Sequence, residues 1–186
     1  MSGLPPKRVY LDTNVLLTKL FDEKERIERV KFWEEYAEKR KGVRLIVSTF
    51  TLMELLHVIR SRLIEKCDPN TDLEEARNYM IEESEKLFKS IMEHMIRMPK
   101  IFAISYSVNI TIDSNVLELQ LKCIGDVRRG KCACQKSTIL KYGGVSHADM
   151  VHLVMAKQLD CDTFLTFDRG FEHLKKAIYT PRIIIL

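Results

Sequence analysis

Five short runs rich in β-branched and aromatic residues, near 8–11, 43–48, 101–105, 163–167 and 182–186, alternate with longer stretches whose apolar residues recur at the helical period. This alternation constrains the chain more than any other feature. Strands separated by helical crossovers pair parallel to one another, and the helices cover the sheet they form. The first helix is expected to begin just after Asp12. A second spans 23–40 with Ile27, Val30, Trp33 and Ala37 on one face, and a third follows Ser48-Thr49 and turns Leu52, Leu55, Leu56, Ile59 and Leu63 inward. Residues 71–98 carry the longest helical pattern. Thr71 and Glu74 form a capping box, Leu73, Ala76, Met80, Leu87, Ile91, Met95 and Met98 keep the period, and Pro99 ends it. Its Met-rich face reads as core, with a homodimer or partner surface as the alternative. A further helix is expected near 113–124, a long loop over 126–145, and the last helices from Ser146 and after Asp168. In the absence of repeats, low-complexity tracts or linkers, 1–186 reads as one domain, with 71–145 as an extended helical and loop insertion.

Four acidic residues stand at telling places in this pattern. Asp12 follows the strand-like Val9-Tyr10-Leu11, Glu54 lies in the first two turns of the third helix, Asp149 is three residues after Ser146, and Asp168 follows Phe164-Leu165-Thr166-Phe167. Each has an ordinary reading, as a helix cap or as a charge suited to a helix N-terminus. Together they point elsewhere, because handovers from strand to helix share one edge of a parallel sheet, where such folds place their ligands. Clustered carboxylates repel unless some are protonated or a divalent cation neutralises them. A set of Asp and Glu without His or Cys suits a hard ion with oxygen ligands, Mg²⁺ or Mn²⁺.

Charge and cysteine content narrow the class. A net charge of +4 is mild, and the seven acids and seven bases of 22–41 cancel. Between Lys122 and Lys141, however, Arg128, Arg129, Lys131 and Lys136 face Asp126 alone, so this loop is a basic patch. It reads as solvated surface or as a nucleic-acid contact, the latter making binding salt-dependent. The N-terminus lacks the apolar region of a signal peptide and no apolar run is long enough for a membrane span, so a cytoplasmic protein is expected. The odd number of cysteines argues against a disulfide scaffold. Inert thiols are the plain reading; zinc held by Cys123, Cys132, Cys134 and His147, or one bridged pair, are alternatives. Abundant Lys, Arg and Glu beside only three Gln is a composition met in thermophiles.

The residues around the four acids resemble a known family, the PIN domain, the nuclease fold of VapC-type toxins and of several RNA-processing enzymes. The resemblance lies in Val9 to Leu17 with Asp12-Thr13-Asn14, in Ser48 to Leu56 with Glu54, in His147-Ala148-Asp149-Met150-Val151-His152-Leu153, and in Phe164 to Phe171 with Asp168-Arg169-Gly170. It departs from a compact family member in the long interval between Glu54 and Asp149. The resemblance implies an α/β fold, a three-layer α/β/α domain around a parallel sheet of about five strands. It also implies a metal-dependent endoribonuclease in which Asp12, Glu54, Asp149 and Asp168 hold one or two Mg²⁺ or Mn²⁺ ions. Asp12 and Asp168, ending adjacent strands, would be direct ligands, and Asn14 and Thr166 would orient the carboxylates by hydrogen bonds. Arg169 is a further candidate for phosphate contact; substrate contact is the lesser reading of His147 and His152. The implied partners are single-stranded or structured RNA and, for a toxin, an antitoxin protein, with a homodimer as the expected assembly and no membrane. A catalytically weak PIN-like module that binds RNA or protein is the competing function. A DNA flap nuclease is less favoured, because no DNA-clamping helical element is evident.

Overall fold

The computed structural model describes residues 7–21, 23–68, 71–105, 147–176 and 181–186. Five strands, β1 (Arg8–Leu11), β2 (Arg44–Ser48), β3 (Phe102–Ser105), β4 (Thr163–Thr166) and β5 (Arg182–Ile185), form one sheet in the order β3-β2-β1-β4-β5, with every pairing parallel. Tyr10 is in register with Ile46 on one side and Phe164 on the other. The helices are α1 (Thr13–Leu20), α2 (Lys24–Lys39), α3 (Thr49–Ile64), α4 (Leu73–Arg97) and α5 (His147–Gln158), followed by a 3₁₀ helix over Arg169–Lys176.

Alternation along the strands divides the core into two layers, because successive side chains leave a strand on opposite faces. Val9, Leu11, Leu45, Val47 and Leu165 pack on one face against Val15, Leu16, Val30, Leu55, Ile59, Ile91 and Met95 from α1 to α4. Tyr10, Ile46, Phe164 and Ile183 turn to the other face, where Met150, Leu153, Val154 and Met155 of α5 and Phe171 and Leu174 of the 3₁₀ helix cover them. This is the expected three-layer α/β/α architecture. Crossovers from β1 lead to one layer and the segment after β4 to the other, so the neighbouring ends of β1 and β4 form a topological switch point.

Two local details differ from the sequence pattern. Asp72, not Thr71, caps α4, its carboxylate accepting hydrogen bonds from the backbone N–H groups of Glu74 and Glu75. Nor does the whole apolar stripe of α4 reach the core: Leu73 is 87% exposed, and burial is confined to Ser84, Ile91 and Met95. A helix of 25 residues is roughly 37 Å long, whereas strands of 4 to 5 residues span only about 15 Å, so its first turns have no sheet beneath them. In α2 the buried residues are Val30, Glu34 and Ala37. Glu34 is tolerated there because Lys19 of α1 lies 2.5 Å and His94 of α4 3.0 Å from its carboxylate, tying three helices together. The segment expected to be insertion is described as far as residue 105; the helix anticipated near 113–124 and the loop over 126–145 lie outside the described residues.

Candidate metal centre

Asp12 leaves the end of β1 as the N-cap of α1, its extended backbone (φ −72°, ψ 157°) directing the side chain back over the helix start. The ordinary cap reading is therefore correct as far as it goes: Oδ1 accepts from the Thr13 N–H at 2.7 Å. Yet Oδ2 also accepts from Asn14 Nδ2 at 2.7 Å and from the Thr166 hydroxyl at 2.6 Å. Asn14 Nδ2 donates as well to Thr166 Oγ1 at 3.0 Å, and its Oδ1 accepts from the Phe167 N–H at 2.9 Å. Asn14 and Thr166 thus clamp the Asp12 carboxylate between the ends of β1 and β4. Asp12 is 3% exposed, and burial pushes its pKa up despite the nearby His152 and the Thr166 hydrogen bond.

Glu54 arrives from the neighbouring strand. β2 passes directly into α3, Ser48 capping the helix by accepting from the Thr51 N–H at 3.1 Å, and the second turn carries the half-buried Glu54 over the end of β1. Its Oε2 accepts a short hydrogen bond from the Thr13 hydroxyl and lies 2.6 Å from Nε2 of His152.

His152 comes from the opposite layer, one turn after Asp149 on α5, and is wholly buried. Its Nδ1 is 2.9 Å from the Tyr10 hydroxyl, which is also 2.7 Å from Ser48 Oγ and 3.0 Å from Thr51 Oγ1. The Phe50 ring meets the imidazole edge-on at 4.8 Å. Nε2 faces Glu54 and stands 3.6 Å from Asp12 Oδ1. Burial disfavours a charged His152, but the hydrogen bond to Glu54 and the charges of Asp12, Glu54 and Asp149 raise its pKa nonetheless. Burial also works against an ionised Glu54, where His152 and Thr13 prevail and lower the pKa.

Asp12, Glu54 and His152 offer ligand atoms all within 4.8 Å of one another, a grouping unique among the described residues. Asp149 and Asp168 do not join it. Asp149 is half-buried in the first turn of α5, near enough for its charge to act on His152. Asp168 is exposed past the end of β4; its N–H donates to Thr166 Oγ1 at 2.9 Å and its Oδ1 accepts from the Gly170 N–H at 2.6 Å. Arg169 beside it is exposed. Arg128, Arg129, Lys131, Lys136, Cys123, Cys132, Cys134 and the side chain of His147 lie outside the described residues. Cys67 and Cys161 are free thiols, and burial pushes Cys161 up to about 12.

The sequence pattern thus points to a carboxylate set and offers His152 only as a lesser candidate for substrate contact, not as a member of that set. Its one visible signal was the spacing from Asp149, which puts both residues on one side of α5; the partner it meets depends on how α5 packs on Tyr10.

The sequence matches the PIN domain family over residues 9–105. No curated protein matches the chain in sequence. Among solved structures it is similar to VapBC2 from Rickettsia felis bound to a DNA fragment from their promoter, at a TM-score of 0.46 and 10% identity over 96% of this chain and 97% of that chain. A family match spanning more than half of the residues, on a five-stranded parallel α/β/α fold, places this chain in the PIN domain family.

Proposed function

We propose that the chain is a metal-dependent endoribonuclease that hydrolyses phosphodiester bonds at the carboxyl edge of β2, β1 and β4. The observation that carries this reading is the burial of Asp12 beside Glu54 and His152, with ligand atoms within 4.8 Å. Two carboxylates in such proximity, one of them buried, suit a divalent cation. The donor set therefore fits Mg²⁺ or Mn²⁺, with Asp12 and Glu54 as direct ligands and Asp149 and Asp168 completing the site, directly or through water. Such an ion, when bound, lowers the pKa of a coordinated water and stabilises charge on the leaving oxygen.

The protein supplies position. Thr13, Asn14 and Thr166 fix both oxygens of Asp12, so the ligand need not be ordered when substrate arrives. The exposure of Asp168 and Arg169 supports a role for them on the solvent side, from which a nucleic-acid strand would approach. Products would carry 5′-phosphate and 3′-hydroxyl ends. RNA as substrate rests on the family resemblance. A toxin would also have an antitoxin protein as partner and a homodimer as its assembly.

Cleavage of single-stranded and structured RNA, with DNA strands of the same sequence in parallel, tests the reading in the presence of Mn²⁺. Wild type should cut RNA and Asp12→Asn should not. Equal activity in Asp12→Asn and Asp168→Asn would remove the metal site; inactivity of the wild type would favour a PIN-like binding module.

A further inference from the structure

We propose that Nε2 of His152 is itself a metal ligand, so that Asp12, Glu54 and His152 form a mixed nitrogen–oxygen site that selects Mn²⁺ over Mg²⁺. This rests on the reading of the cluster as a metal centre and goes beyond it, since the acidic set alone carries no such bias.

The imidazole is held as a ligand is held. Tyr10 engages Nδ1 at 2.9 Å and Phe50 packs against the ring, so Nε2 is kept towards the acids. In the ligating tautomer Nδ1–H donates to the Tyr10 oxygen, whose own proton goes to Ser48 or Thr51. Nε2 then presents a lone pair 2.6 Å from Glu54 Oε2 and 3.6 Å from Asp12 Oδ1. With a proton on Nε2 the shorter contact is a hydrogen bond to Glu54, and in the ligating tautomer a bound cation takes that proton's place between the two atoms. Nε2 and these two carboxylate oxygens are close enough that all three would hold one ion together. Carboxylate and water sites suit Mg²⁺, whereas an imidazole donor shifts preference towards first-row transition ions.

Mn²⁺ alone, added to the full chain, is the probe. Pulsed electron paramagnetic resonance of the Mn²⁺-loaded wild type should show a ¹⁴N hyperfine coupling. That coupling should change to ¹⁵N when the protein carries ¹⁵N-histidine, a readout that needs no substitution and no turnover. In His152→Gln the coupling should vanish, and the Mn²⁺-over-Mg²⁺ affinity ratio measured by titration calorimetry should fall. Mn²⁺ bound in an Asp12-dependent way without nitrogen coupling, or a coupling that persists in His152→Gln, would overturn the inference and leave a carboxylate centre standing. Failure of the wild type to bind Mn²⁺ at all would overturn the metal reading itself, and this inference with it.

Discussion

Nε2 of His152 lies 2.6 Å from Oε2 of Glu54 although 98 positions separate them, and the two helices that carry them belong to opposite layers of the fold. They meet only because the sheet between those layers ends there. Among the described residues no strand intervenes beyond the last residues of β1 and β2, so side chains from α3 and α5 close over the edge beside the buried Asp12. The contact makes the edge of the sheet a polar centre linked by hydrogen bonds from Ser48 and Thr51 through Tyr10 and then His152 to Glu54.

Replacing Asp12 by Asn should reduce Mn²⁺ affinity by more than about 100-fold, beyond the 10- to 100-fold typical of residues that only orient a ligand. Calorimetric titration measures this directly. An affinity within a few-fold of wild type would exclude Asp12 from the coordination sphere.

Thr166→Val keeps the shape of a buried strand residue and removes the hydroxyl that donates to Asp12 and accepts from Asn14 and from the Asp168 N–H. Activity should fall about 10- to 100-fold, and stability by about 1–3 kcal/mol because donors lose their acceptor. Urea unfolding beside a cleavage assay separates the two effects.

Tyr10→Phe deletes the hub of the buried network, leaving His152 Nδ1, Ser48 and Thr51 to find other partners. A loss of about 1–3 kcal/mol is expected, read as a lower urea midpoint with an unchanged slope. A variant as stable as wild type would mean that water replaces the hydroxyl without cost.

Stability of the protein in EDTA should depend on pH with a definite sign. His152, raised above its usual 6.5, contributes stability that is complete below that value and lost as pH rises through its folded pKa. Glu54, lowered below its usual 4.5, contributes stability present above that value and lost as pH falls through its folded pKa. Asp12, raised above 3.8 by burial, opposes folding increasingly as pH rises through its own folded pKa. The thermal midpoint should therefore decline as pH rises above 6.5, while the gain on adding Mn²⁺ grows in the same direction, since ligands must be deprotonated to bind. A midpoint that climbs in EDTA would contradict the coupling of His152 to the two acids.

Gly170→Ala tests Asp168 without touching its charge. A Cβ there would stand 3.1 Å from Asp168 Oδ1, and that exposed carboxylate can yield by a few tenths of an ångström. Stability should stay within about 0.5 kcal/mol, while cleavage drops if the displaced carboxylate serves the substrate. Unchanged turnover would assign Asp168 to the turn alone.

The layered fold was legible because its determinants are local. Alternation in Val9-Tyr10-Leu11 and Phe164-Leu165-Thr166 encodes strands with two buried faces, and the caps at Asp12 and Ser48 mark where α1 and α3 begin. The same punctuation led to the expectation of Asp12, Glu54, Asp149 and Asp168 at one edge, since strand-to-helix handovers in a parallel sheet share it, and of these the tight group holds Asp12 and Glu54. It could not say which side chains touch there. Asp149 and His152 sit one turn apart on a single helix, and their spacing alone makes either a candidate to meet Glu54. Packing of α5 on Tyr10 and Phe164 decides it, burying His152 against the Tyr10 hydroxyl and leaving Asp149 outside the tight group. Helix and strand periods are properties of neighbours in the chain, whereas the rotation of one helix over a sheet follows from volumes and hydrogen bonds contributed by distant segments, and only the assembled tertiary structure contains them.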